Sequence, residues 1–232
     1  MRLAIIPARG GSTRIPRKNI RPFAGRPIIA WSIAAARDSG MFDHVMVSTE
    51  DDEIAAVAIA CGAEVPFRRP AELSDNHTGL FPVLQHAIRW YAEHGKPADY
   101  VCCILAIAPF VLAAQLREGY ERLVASGKSY AFPVTTFACP IQRALRVAAD
   151  GSVTPFFPEE VLTRSQDLQE AVHDASQFYW GRAQAFLDDV PPWSPASLPL
   201  PVSRHLVQDI DTPEDWRRAE LLYAVMQAQE KP

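Results

Sequence analysis

The apolar positions of the chain fall into short runs that alternate with stretches of helical spacing. Leu3 to Ile6 is an apolar run closed by Pro7, the pattern of a buried first strand. Pro27 to Arg37 has helical spacing, with Pro27 suited to a first helical turn. Val45 to Val47 predicts a second strand, Asp51 to Ala60 a helix with acids in its first turn, and Glu64 to Pro66 a short third strand. Leu80 to Glu93 predicts another helix. Tyr100 to Leu105 is a continuous apolar run, as expected of a central strand buried on both faces. Ala113 to Ala125 reads as a helix, and Ala131 to Thr135 and Leu145 to Ala148 as strands, with a hairpin turn at Asp150-Gly151.

From Pro155 to Ala175 the pattern is polar and mixed, which predicts a lobe or loop over a site or a partner subunit. Phe178 to Trp180 is an aromatic strand. Pro191 to Pro201 is rich in proline, so it is a linker or edge segment rather than a helix. Val207 to Ile210 predicts a last strand and Pro213 to Gln227 a closing helix. Buried strands alternating with helices imply an α/β fold, a parallel-rich mixed sheet flanked by helices. A length of 232 residues suits one domain spanning 1–232, with a small lobe at about 136–176.

Charge and cysteines narrow the function. The net charge of -4 argues against general nucleic-acid binding. Cys61, Cys102, Cys103 and Cys139 form no C-x-x-C pair, so a zinc site is not indicated, and free thiols fit a reducing compartment. The amino terminus lacks signal-peptide features and no apolar run reaches membrane-spanning length, so a cytoplasmic location is expected.

The segment Pro7 to Asn19, directly after the first strand, carries the strongest chemical signal. Ligands of α/β folds bind at the carboxyl ends of strands. Gly10 and Gly11 permit a sharp turn that points amide N–H groups at an anion. Arg9, Arg14, Arg17 and Lys18 crowd the same loop, and the first acidic residue of the chain is Asp38. Such a concentration of positive charge in an acidic protein points to a polyanion such as a triphosphate, the alternative being a solvated basic turn. The loop is neither G-x-x-x-x-G-K-[ST] nor G-x-G-x-x-G. Near the other end, Asp209 and Asp211 lie two apart in the last predicted strand and would face the same way, a pair able to hold Mg²⁺. Equally, Thr212-Pro213 makes a good helix start, with Thr212 as N-cap and Asp211 merely assisting.

The segment IPARGGSTRIPRKNI resembles the I-P-A-R-x-G-S-K-x-x-P-x-K-N signature of the CMP-sialic acid synthetase family of nucleotidyltransferases. The resemblance implies a Rossmann-like nucleotidyltransferase fold and a loop that cradles the CTP phosphates. Arg9, Ser12, Lys18 and Asn19 match, and Ala8, Gly10, Gly11, Thr13 and Arg14 belong to the same nucleotide-binding stretch. Thr13 stands where the family has lysine, a departure that bears on rate more than on ligand class. Asp209, Asp211 and Asp215 match the family's D-I-D-T-x-x-D metal region, which implies Mg²⁺ on Asp209 and Asp211, with Arg9 and Lys18 stabilising phosphate charge. Arg69 to Leu73 resembles R-P-x-E-L, which implies Arg69 near the base; a surface ion pair with Glu72 is the plainer reading. Val47 to Glu50 resembles the family's V-S-T-D and reads as structural.

Leu105-Ala106-Ile107-Ala108-Pro109 lacks the polar residues of the N-acetylneuraminic acid members and looks more like the pseudaminic acid branch, although Ile107 replaces that branch's threonine. Segments 140–144, 163–168 and 173–181 resemble the same branch. The resemblance implies Arg143 and Arg164 as partners of the sugar carboxylate, Gln142, Gln166 and Gln177 as readers of its polar groups, and Phe178 and Tyr179 against its N-acyl methyls. Alternate aromatics of that strand are core on the plainer reading, and His173-Asp174 is either an acid/base pair or structural. The implied reaction joins CMP from CTP to a nine-carbon acidic sugar, in a homodimer whose lobe helps complete the neighbour's site. Other readings keep the reaction and change the sugar to legionaminic, N-acetylneuraminic or 3-deoxy-manno-octulosonic acid, or keep only nucleotide-sugar binding. RNA binding through the basic loop is disfavoured because no aromatic platform interleaves with the charges.

Overall fold

A computed structural model describes residues 1–75 and 77–229. In chain order the elements are β1 (Arg2–Pro7), β2 (Pro22–Phe23), β3 (Arg26–Pro27), α1 (Ile29–Ser39), β4 (His44–Ser48), α2 (Asp52–Ala60), α3 (Leu80–Glu93), β5 (Tyr100–Ile104), α4 (Ala113–Ser126), β6 (Tyr130–Thr136), β7 (Leu145–Val147), β8 (Val153–Pro155), β9 (Val172–Asp174), β10 (Phe178–Arg182), α5 (Ala183–Leu187), β11 (Ser197–Pro201) and α6 (Pro213–Gln229). The main sheet runs β11-β6-β10-β5-β1-β4, with β9 added to the end of β6. β4, β1 and β5 are mutually parallel, as are β6 and β11, while β10 is antiparallel between β5 and β6. The parallel-rich mixed sheet flanked by helices is as the pattern predicts.

The alternation along β1 sends its side chains to two cores. Ala4 and Ile6 pack with residues of α1, α2 and α4, among them Ile33, Ile54 and Leu116. Leu3 and Ile5 pack on the other face with Leu84, Ile88 and Tyr91 of α3 and Phe186 of α5. A third cluster lies beside the basic loop and joins Ile15, Phe23, Ile28, Phe110, Ile210 and Trp216. Ile15 is in the loop and Ile210 stands between Asp209 and Asp211, so one apolar cluster anchors two distant segments.

Three sequence expectations are corrected. Pro27 lies in β3, the second strand of a small hairpin turning through Ala24 and Gly25 at positive φ, and α1 begins only at Ile29. Glu64 to Pro66 makes a single bridge, Met46 to Glu64, rather than a strand. Val207 to Ile210 is not a strand, because side chains take its neighbouring carbonyls: Gln177 Nε2 donates to Leu206 O and Lys18 Nζ to Ile210 O. The proline-rich segment does contain β11 at the sheet edge, where missing N–H groups are tolerated. Strand β9 and helix α5 have no counterpart in the sequence expectations.

Candidate active site

The basic loop leaves β1 at the carboxyl edge of the parallel strands. Ala8 N–H still bonds Ser48 O at 2.9 Å, and then the chain turns. Gly10 N–H donates to Glu50 Oε1 at 2.7 Å. A Cβ on Gly10 would lie 2.5 Å from Asp51 Oδ2, so only glycine passes here, whereas Gly11 faces open space. The Gly10 amide is therefore taken by the chain's own Glu50 carboxylate and not left for the ligand anion that the sequence pattern predicts. Asn19, buried, closes the loop by donating to Arg9 O at 2.8 Å, and Arg9 Nη1 reaches Asp75 O at 2.8 Å.

The loop's charge is compensated, contrary to the sequence reading. Arg17, in the left-handed region at φ 53, binds Asp51 at 2.5 and 3.0 Å and also pairs with Glu53. Asp51 in turn caps α2 through Ile54 N–H, and the Arg17 guanidinium holds its carboxyl down at about 2. Arg14 pairs with Asp211 Oδ2 at 2.9 Å and Lys18 Nζ with Asp211 Oδ1 at 3.2 Å. Arg17 thus braces the loop, while Arg14 and Lys18 face a carboxylate from the other end of the chain.

These groups border a cleft of about 350 Å³, with Arg9, Ser12, Thr13, Arg14, Lys18 and Asn19 on one side and Leu105, Ala106 and Ile107 on another. The amino-terminal turn of α3 opens onto it through Gly79 and Leu80, adding its unpaired N–H groups. Arg69 lines the same cleft although its side chain is only 4% exposed. Its ion pair is with Glu50 at 2.8 Å, and not with Glu72. Burial would raise the Glu50 pKa, but the bonds from Gly10 and Arg69 outweigh it and lower it below the ordinary value.

Asp211 also borders a second cavity of about 470 Å³, shared with Asp209, Asp174, Ser176, His173 and Arg204. Asp209 keeps an exposed face, yet desolvation by the groups around it, followed by the neighbouring Asp211 charge, raises its pKa. Ser176 sits at φ 51, its N–H bonded to Asp174 Oδ1 at 2.8 Å, and its hydroxyl lies close enough to the Asp209 carboxylate to oppose that rise. Tyr179 Oη donates to Asp174 Oδ2 at 2.5 Å. Thr212 and Asp215 cap α6 reciprocally: Asp215 N–H donates to Thr212 Oγ1 at 3.2 Å, and Thr212 N–H to Asp215 Oδ2 at 2.8 Å. Asp215 is therefore occupied with the helix start. Among the described residues no group of three or more acidic, histidine or cysteine side chains is arranged to hold a metal; Asp209 and Asp211 form a pair.

The predicted sugar-reading residues are not gathered in this chain. Arg143 spends its guanidinium on the carbonyls of Glu160, Val161 and Thr163, tying the lobe together. Arg164 pairs with Asp167 at 2.6 Å on the lobe surface, and Gln142 donates to Gln169 O. Gln166 lines a shallow cavity of the lobe instead. Phe178 is fully buried in the core, as the plainer reading had it, and so has no surface for a sugar. Gln177 is buried and tied to Leu206 O; Tyr179 reaches the second cavity only through Asp174. His173 Nδ1 contacts Asp174 O, a backbone atom, so no His–carboxylate pair exists here. The sequence marks Glu50 only as structural and Asp174 only as a partner of His173, although the position of Glu50 just past the end of β4 is a ligand-facing one in such folds.

The family model described as cytidylyltransferase matches residues 3–189. Pseudaminic acid cytidylyltransferase of Campylobacter jejuni is 42% identical over 96% of both chains. The CMP-N,N'-diacetyllegionaminic acid synthase of Legionella pneumophila is 29% identical over 97% of both. A CTP-complexed CMP:2-keto-3-deoxy-manno-octonic acid synthetase superposes with a TM-score of 0.70 at 16% identity, covering 97% of this chain and 99% of its own, which shows a shared fold. Among the described residues no helix is long and apolar enough to cross a membrane. With a cleft built on the basic loop after β1 and relatives matched end to end, this chain belongs to the cytidylyltransferase family of nucleotidyltransferase enzymes.

Proposed function

We propose that the enzyme transfers CMP from CTP to pseudaminic acid, a nine-carbon acidic sugar, and releases pyrophosphate. The observation that supports the reaction geometry is Asp211, which borders both cavities and draws in Arg14 and Lys18. CTP occupies the first cleft, its phosphates against Lys18, Arg14, Arg9 and Ser12. The acceptor occupies the second cavity, so the α-phosphorus comes to lie near Asp211, between the two. Triphosphate exchanges with Asp211 for Lys18 and Arg14, which carry the charge that develops as pyrophosphate leaves. Most of the acceleration is positioning and electrostatics.

Asp209 and Asp211 suit a hard cation. They are two adjacent carboxylates, one with a raised pKa that positive charge would relieve, and nucleotide oxygens complete such a site. Mg²⁺ held by Asp209 and Asp211 together with CTP would supply positive charge at the α-phosphate. Asp209 and Asp211 would hold the ion, and Ser176, beside Asp209, would steady that carboxylate.

The choice of sugar rests on the 42% relative; legionaminic acid is the second reading, favoured by the 29% relative. The lobe supplies the homodimer contact in this reading. Val147 and Val153 pair across β7 and β8, and Leu145 lies on the same face; all three are more than half exposed. Arg143 and Arg164 ride on that lobe and would serve the neighbouring subunit rather than their own. Pyrophosphate release with CTP, Mg²⁺ and pseudaminic, legionaminic, N-acetylneuraminic or 3-deoxy-manno-octulosonic acid tests the reading. Turnover on pseudaminic acid is expected to exceed that on the others by at least about 100-fold in kcat/KM. Equal or better turnover on another acid contradicts the sugar assignment.

A further inference from the structure

Glu50 carries no chemical signal in the sequence beyond a structural segment, yet its carboxylate joins two parts of the nucleotide cleft. Oε1 accepts the Gly10 N–H at 2.7 Å, at the point where the basic loop turns. Oε2 accepts Arg69 Nη2 at 2.8 Å. Arg69 is fixed further by Nε on Ser74 Oγ at 3.1 Å and by its own N–H on Thr49 O at 2.9 Å. Its side chain is nearly buried but lines the cleft, and among the described residues Nη1 makes no further hydrogen bond. The guanidinium is thus held on two of its three nitrogens and offers the third to a ligand. The fork is planar and rigid, so fixing two nitrogens sets the direction of the third.

We infer that Glu50 is a positioning residue for nucleotide recognition: one carboxylate sets both the turn of the phosphate loop and the aim of Arg69. The inference rests on the reading of this cleft as the CTP site. A pair of acceptors suits Nη1, which donates through two N–H groups and cannot accept: cytosine presents the adjacent acceptors O2 and N3, whereas uracil carries a proton on N3. The neighbouring acid Asp51 does not share the task. It is spent on Arg17 and the α2 cap, and it braces the loop's far side.

Glutamine at this position keeps the shape but has one acceptor oxygen, so its NH₂ must face either the Gly10 N–H or the guanidinium, donor against donor. Aspartate keeps the charge but is shorter by one methylene and cannot reach both partners.

The test is steady-state kinetics of wild type, Glu50→Gln, Glu50→Asp and Arg69→Lys with CTP and UTP, alongside thermal unfolding of each. Glu50→Gln is expected to raise KM for CTP about tenfold or more, to change kcat less than about threefold, and to narrow the CTP over UTP preference. Adding it to Arg69→Lys is expected to narrow that preference no further, because both act on one fork. Glu50→Asp is expected to retain more of the preference than Glu50→Gln. A merely structural glutamate would lower the unfolding temperature and leave KM and preference unchanged in the folded fraction; that result overturns the inference. If Glu50→Gln does not fold, wild-type KM and preference in Glu50→Asp overturn it equally. Wild type showing no preference for CTP would instead overturn the reading of the cleft.

Discussion

Gly10 and Gly11 are adjacent and were read alike, yet their surroundings differ. The space beyond Gly10 is filled by Asp51, while that beyond Gly11 is empty. Gly10→Ala is expected to push Asp51 off Arg17, loosen the loop and cut kcat/KM for CTP by about 100-fold, whereas Gly11→Ala stays within about threefold; steady-state kinetics of the two variants decides this. The Asp51–Arg17 brace also has a pH signature. The Asp51 carboxyl is lowered from 3.8 to about 2 in the folded state. Its contribution is complete above the unfolded value and is lost as the pH falls through the folded one. The stability gap between wild type and Asp51→Asn, measured by chemical denaturation, is therefore expected to be constant above about pH 5 and to shrink as pH falls from 4 toward 2. A gap that stays constant over that range would mean that the charge of Asp51 contributes nothing to folding.

Among the elements, the turn between β9 and β10 and the start of α6 meet at Asp209. Ser176 adopts a left-handed backbone that glycine would take more easily. Ser176→Gly is expected to raise stability by about 1 kcal/mol in denaturation while weakening Mg²⁺ binding to the nucleotide complex. Ser176→Ala keeps the strain and loses only the hydroxyl, so it should weaken Mg²⁺ binding equally without the gain in stability. Unchanged Mg²⁺ affinity in both variants would remove Ser176 from the site. This network was not legible in the sequence, because it depends on how the β9–β10 turn lies against Asp209. The basic loop was legible, since charge, glycines and its place after β1 all lie within one short segment. The last predicted strand failed for a related reason: an apolar run shows that Ile210 is buried, but not that side chains from Lys18 and Gln177 take the adjoining backbone groups. Phe178 shows the same limit, since a motif marks a segment without saying which side of the sheet each residue faces.

On the scale of the whole molecule, the sheet brings the carboxyl ends of β1, β4 and β5 together, and the cluster around Phe23 and Trp216 draws the Asp209–Asp211 segment up to them. The order of helices and strands was readable from alternation. The antiparallel insertion of β10 between β5 and β6 was not, because periodicity carries no information on strand direction. The lobe presents an apolar hairpin face that a single chain leaves in water. Val147→Asp with Val153→Asp is expected to convert a dimer to a monomer in sedimentation and to lower turnover, with CTP binding retained. A protein already monomeric at micromolar concentration would contradict the role given to the lobe.

In the proposed reaction an acceptor hydroxyl in the second cavity attacks the α-phosphorus of CTP held in the first, and pyrophosphate leaves. This attack is tested most directly with pseudaminic acid carrying ¹⁸O at the anomeric hydroxyl, followed by mass spectrometry of both products. The label is expected in the bridge of the CMP-sugar and not in pyrophosphate. Label absent from the CMP-sugar, or found in the released pyrophosphate, would contradict it.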